Sequence, residues 1–137
     1  MTEAKGGARP ERAAYAYAVI RLVPRVERGE CLNAGVVLFC RARRFLAART
    51  LLDEARLRAF APGLDLDGVA RHLATIERVA AGDPGAGPIA RLPAPERFGW
   101  LVAPASTVVQ PGPVHGGASA DPEGTLAALF DKLVAPW

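Results

Sequence analysis

Residues 14–52 read AYAYAVIRLVPRVERGECLNAGVVLFCRARRFLAARTLL, and the spacing of apolar runs and breakers in this stretch decides the fold. Residues 14–23 carry aromatic and β-branched side chains on both parities, which predicts a strand covered on both faces. Pro24 ends it. A second apolar run spans 35–40 and a third spans 45–52, joined by the polar connection CRARRF. Connections this short favour an antiparallel meander, because parallel pairing needs a crossover of about a dozen residues or more.

Between the first two runs, polar and special residues crowd the entrance to a core strand. Glu30 and Asn33 can cap the preceding turn, bind exposed backbone amides or hold a ligand. The simplest reading pairs Glu30 with Arg21 or Arg28 and lets Asn33 close the turn. Arg21 interrupts the parity set by Tyr15, Tyr17, Val19 and Val23, and a half-buried arginine needs an acid or an anion. Glu30 is its expected partner.

Downstream, Asp53 can cap a short helix carrying Leu57 and Phe60 and stopped by Pro62 and Gly63. Leu66, Val69, Ala70, Leu73, Ile76 and Val79 then recur at helical spacing between Asp65 or Asp67 and Gly82, with Arg71 and His72 off the apolar stripe. Residues 82–95 are dense in Gly and Pro and predict a loop long enough to be a lid or binding loop. A short helix at 97–102 would present Trp100, and residues 106–110, STVVQ, read as a fourth strand before PGPVHGG breaks the pattern. Asp121 and Pro122 start a last helix with Leu126, Leu129, Phe130, Leu133 and Val134 on one face. The expected fold is α+β: one domain with a mostly antiparallel sheet of about four strands, packed by two main helices.

A chain of 137 residues can bury one core without metal or disulfide staples, and no run approaches the ~18 apolar residues of a membrane span. Residues 1–13 lack a secretory apolar segment and are expected to be a disordered lead to a single domain at 14–137, with a cytoplasmic location. Cys31 and Cys40 fit that location as reduced, buried thiols. Residues 1–49 hold ten Lys and Arg against four acids, whereas residues 50–137 hold seven against ten. The basic third could meet nucleic acid, yet its charges are spread, so a solvated surface is the expectation and nucleic acid is ranked low.

No nucleophile elbow, phosphate loop, dinucleotide fingerprint or zinc-protease helix is present. The spacing of two cysteines and two histidines matches no usual zinc set, so neither metal nor cofactor is expected. Cys31 with His115 as its base lacks a third, orienting group. His115 is followed by glycines that permit close approach of a backbone or ligand. A loop histidine held by a hydrogen bond is the plainer reading. Trp100 and Trp137 could form an apolar patch for a partner, with core packing as the commoner alternative.

Four blocks, YAYAVIRLVP at 15–24, RGECLNAGVVLF at 28–39, TVVQPGPVHGG at 107–117 and DPEGTLAALFDKLV at 121–134, resemble successive blocks of bacterial domain-of-unknown-function family number three thousand and thirty-seven. The resemblance covers residues 14–135. Arg28, Gly29, Glu30, Asn33, Gly35, Val36, His115 and the Asp121–Pro122 helix start match its hallmark positions, while Cys31 replaces an aromatic residue. The resemblance implies no established activity. It does imply, by gene neighbourhood, a HipA-like kinase-fold protein as partner.

Three functional readings follow. The first is a non-catalytic interaction or accessory module acting with a kinase-like partner, with a homo-oligomer left open. The second is a ligand-binding protein or enzyme whose site gathers Arg21, Arg28, Glu30, Asn33 and His115, with Glu30 or His115 as general base and the arginines on an anionic group. The third is nucleic-acid binding through the basic N-terminal third.

Overall fold

A computed structural model of the chain describes residues 11–136. Most of the expected disordered lead lies outside these residues, as does Trp137. Three strands, β1 (Ala13–Leu22), β2 (Leu32–Cys40) and β3 (Phe45–Thr50), form the antiparallel meander that their short connections dictate. The sheet has five strands rather than about four. Its far edge is built from β4 (Val109–Pro111) and β5 (His115–Ser119), both antiparallel to β1.

β4 and β5 are two pieces of one broken edge strand. Ile20 pairs with Pro111 and Tyr17 with His115, so three steps along β1 face four steps along the edge. One extra residue is therefore accommodated within 112–114, where Gly112 N–H still reaches the Val19 carbonyl at 2.7 Å. β5 escapes the sequence pattern because HGGAS has little intrinsic strand preference. It forms because the long β1 offers it a complete partner edge.

Both faces of the sheet are covered in part, as the mixed parity of β1 requires. Ala18, Ile20 and Leu22 enter the main core with Val37, beneath α1 (Glu54–Phe60), α2 (Leu66–Ala81) and α3 (Ala94–Leu101). Tyr15 and Tyr17 face the other way, with Val36, Leu38 and Cys40 under α4 (Pro122–Leu133). Asp53, Asp65 and Asp121 cap α1, α2 and α4 through backbone amides three residues on. The stripe read for α2 is the one it buries, and Arg71 and His72 are exposed.

The Gly/Pro-rich segment after α2 is fixed in place rather than free. It winds through two 3-10 turns, Pro84–Ala86 and Ile89–Arg91, and buries Ala90. Arg97 of α3 clips it, donating from Nη1 to the Leu92 carbonyl at 2.8 Å and from Nη2 to the Ala80 carbonyl at 3.3 Å. Arg78 and Asp83 close the α2 end with an ion pair at 2.8 Å. Among the described residues no helix is long and apolar enough to cross a membrane.

Candidate functional site

The entrance to β2 is shaped by a β-bulge. Ile20 pairs with Gly35 but Arg21 pairs with Asn33, leaving Ala34 as the extra residue, its carbonyl accepting from Leu51 N–H at 2.8 Å. A one-residue insertion reverses which face each side chain meets. Leu32 thereby packs with Leu22 at the main core, while Asn33 is turned toward α4. Gly35 is required by crowding, since a Cβ there would lie 2.7 Å from the Arg49 carbonyl oxygen.

Asn33 is consequently a tie between sheet and helix. Its Nδ2 donates to the Leu133 carbonyl at 3.0 Å, satisfying one of the free carbonyls at the end of α4. Arg21 is its cross-strand neighbour. Glu30 does not pair with Arg21. The Arg21 guanidinium instead lies against Gly112, where a Cβ would come within 2.9 Å of its Cζ.

Glu30 takes Arg28. Arg28 Nε donates to Oε1 at 2.6 Å and Nη2 to Oε2 at 3.1 Å, a two-pronged fork formed just after the 3-10 turn Val26–Arg28. The hydrogen bond and charge of Arg28 hold the Glu30 carboxyl below its ordinary range and raise the Arg28 guanidinium in turn. Both side chains remain more than half exposed, at 58% and 54%, so the pair adds little to stability. It lines an open cleft of about 580 Å³ with Arg25, Phe60, Pro62 and Leu64. A carboxylate already saturated by a guanidinium and held in its charged form is a poor proton acceptor near neutral pH.

His115 stands elsewhere, on β5 and not in a loop. It is exposed, and its ring sits 5.3 Å from that of Tyr17, whose ring is 6.2 Å from that of Tyr15. Tyr15 lies across Gly117, where a Cβ would be 2.5 Å from the ring Cζ. Tyr15, Tyr17 and Arg21 all lean the same way, onto Gly117, His115 and Gly112 of the edge. Gly112 and Gly117 of PGPVHGG are spaces for the side chains of Arg21 and Tyr15.

The five residues singled out in the sequence thus fall into three places. Arg28 and Glu30 meet in one cleft, Arg21 and Asn33 are neighbours across β1 and β2, and His115 lies four residues along β1 from Arg21, roughly 13 Å at strand spacing. The cleft lined by Arg28 and Glu30 is not lined by His115. Cys31, expected to be buried, is exposed because it precedes the strand, whereas Cys40 is buried beneath α4.

Two features escape sequence reasoning. One is the row Tyr15, Tyr17 and His115, of which only the two tyrosines were legible as alternation on β1. The other is a mostly apolar cleft of about 300 Å³ beside β4, lined by Ile20, His72, Ile76, Val109, Pro111 and the half-exposed Trp100. Its residues come from four separate segments, so no local pattern announces it.

No curated protein and no solved structure matches the chain. Residues 17–134 match the family model described as Protein of unknown function (DUF3037), and the chain belongs to that family.

Proposed function

We propose that this chain is a non-catalytic interaction module that takes a protein partner along its β4–β5 edge and in the apolar cleft beside Trp100. The contrast between the two halves of that edge carries the reading. Pro111 and Pro113, with the extra residue between β4 and β5, protect the first half, since proline offers no N–H to an incoming strand. His115–Ser119 has no proline, lysine or acid, and no strand of the described residues pairs its outer side. The opposite edge is blocked at Thr50, whose N–H donates to Glu77 of α2 at 2.9 Å. An open, uncharged strand on the same edge as an apolar cleft, which lies farther along it at β4, suits an extended segment that adds to the sheet and anchors one side chain.

The kinase-fold protein implied by the family resemblance is the partner to try first. A site gathered from Arg21, Arg28, Glu30, Asn33 and His115 is less well supported, because the cleft of Arg28 and Glu30 is lined by none of the other three and Glu30 is held ionised. Size-exclusion chromatography of the mixed proteins is expected to give a complex that Trp100→Ser weakens by about tenfold or more. A complex unaffected by that substitution, or none at micromolar concentration, would overturn the reading. Self-association through the same edge is distinguished by the mass of this chain alone.

A further inference from the structure

We infer that the row of rings at the margin of α4, on β1 and β5, is a platform for single-stranded nucleic acid. α4 lies chiefly over β2 and β3 and reaches β5 only at its end, where Thr125 bonds Ser119; at its margin Tyr15 and Tyr17 are partly buried and His115 is exposed. This inference uses the face opposite the Trp100 cleft and does not depend on the partner reading above.

That margin has an aromatic centre. Tyr15, Tyr17 and His115 form a continuous row with ring centroids 6.2 and 5.3 Å apart, held in position by the space that Gly117 leaves. Rings fixed on a sheet give unstacked bases something to stack on, whereas an intact duplex hides its base faces.

Both ends of the row are cationic. At one end Arg21 rests on Gly112, and no carboxylate of the described residues lies within ion-pair distance of it. At the other end the β2–β3 turn, with Arg41, Arg43 and Arg44, reaches the start of β1, where Arg43 hydrogen-bonds the Glu11 carbonyl. The acids at that end are Glu11, Glu123 and Asp121, and Asp121 is engaged in capping α4. From Arg12 to Arg21 the strip runs roughly 30 Å at strand spacing, within reach of the about 4–16 nucleotides that such modules cover.

Arg44 adds an independent observation. It holds φ at 52°, the left-handed region where glycine or asparagine is usual. An arginine kept where its backbone is strained breaks a local rule, and such breaks cluster at sites that serve something other than the fold. The turn closed by Arg44 N–H on the Arg41 carbonyl at 3.1 Å sets that φ, and a phosphate backbone would give the arginine there a use. An acidic protein surface would also be drawn by these arginines, but it would gain nothing from the aromatic row.

The test is fluorescence anisotropy with labelled oligothymidine and oligouridine of about ten nucleotides and a duplex control. Saturable single-strand binding is expected, weakening steeply between about 50 and 200 mM salt. Tyr17→Leu and His115→Ala should each weaken it about fivefold or more, Arg21→Gln should weaken it as well, and Arg58→Gln and Trp100→Ser should leave it unchanged. His115 is exposed, so its substitution keeps the test intact should Tyr17→Leu lower stability, which thermal melting reads separately. No binding at low salt, equal affinity for duplex, or indifference to His115→Ala with Tyr17→Leu folded would each overturn the inference.

Discussion

The Tyr15 ring occupies the volume that a side chain on Gly117 would need, with a Cβ there 2.5 Å from Cζ and from the phenolic oxygen. The two residues face each other across β1 and β5, so the edge strand and the ring above it are mutually dependent. Gly117→Val is expected to cost about 1–3 kcal/mol through overpacking, seen as a fall of about 4 °C or more in the melting midpoint. The same substitution in a Tyr15→Ala background should cost much less. Equal losses in both backgrounds would show that the ring does not rest on the glycine.

Gly35 answers to backbone rather than to a movable ring. Its Cβ would strike the Arg49 carbonyl at 2.7 Å, and strand backbone has no room to yield beside the Ala34 bulge. Gly35→Ala should destabilise by about 1–3 kcal/mol in urea unfolding. Asn33→Ala, which removes the exposed bond to Leu133, should cost about 1 kcal/mol. A larger loss at Asn33 than at Gly35 would contradict the division between anchor and architecture.

The meander, the caps and the α2 stripe were legible because each depends on local spacing: alternation, a capping aspartate, a period of three to four. The bulge at Ala34 was not, since it is a property of pairing between β1 and β2 and sits inside an ordinary NAG tripeptide. β5 was hidden for a related reason. Gly117, and Gly112 ahead of the strand, look like breakers until Tyr15 and Arg21 are seen to need the space. Of the candidate residues, the Arg28–Glu30 pair could be read from proximity in sequence. The destination of Arg21 could not, because Gly112 reaches it only through the fold.

Asp83 predicts a pH effect. Its carboxyl is held below the ordinary aspartate value by the hydrogen bond from Arg78 and by the Gly85 amide. A depressed folded value stabilises above the unfolded value and is lost as pH falls through the folded one. The clip between α2 and the following 3-10 turn should therefore be intact at neutral pH and loosen below about pH 4. Protection of the amides of Asp83, Gly85 and Ala86, relative to intrinsic rates, should fall in acid, and Asp83→Asn should bring the low protection to pH 7. Exchange there that is independent of pH after correction for intrinsic rates would contradict this.

Arg44 should trade stability for binding. Arg44→Gly is expected to relieve a left-handed backbone and raise stability by about 1 kcal/mol, while weakening oligonucleotide binding. Loss of stability would mean that its side chain supports the turn.

The partner surface is tested most directly by hydrogen exchange on β5 with and without the kinase-fold protein at saturating micromolar concentration. The amides of His115–Ser119 that point away from β1 are expected to exchange slowly only in the complex, with protection extending to the Trp100 cleft. Unchanged exchange along β5, or protection confined to the Arg28–Glu30 cleft, would contradict the edge as the docking site.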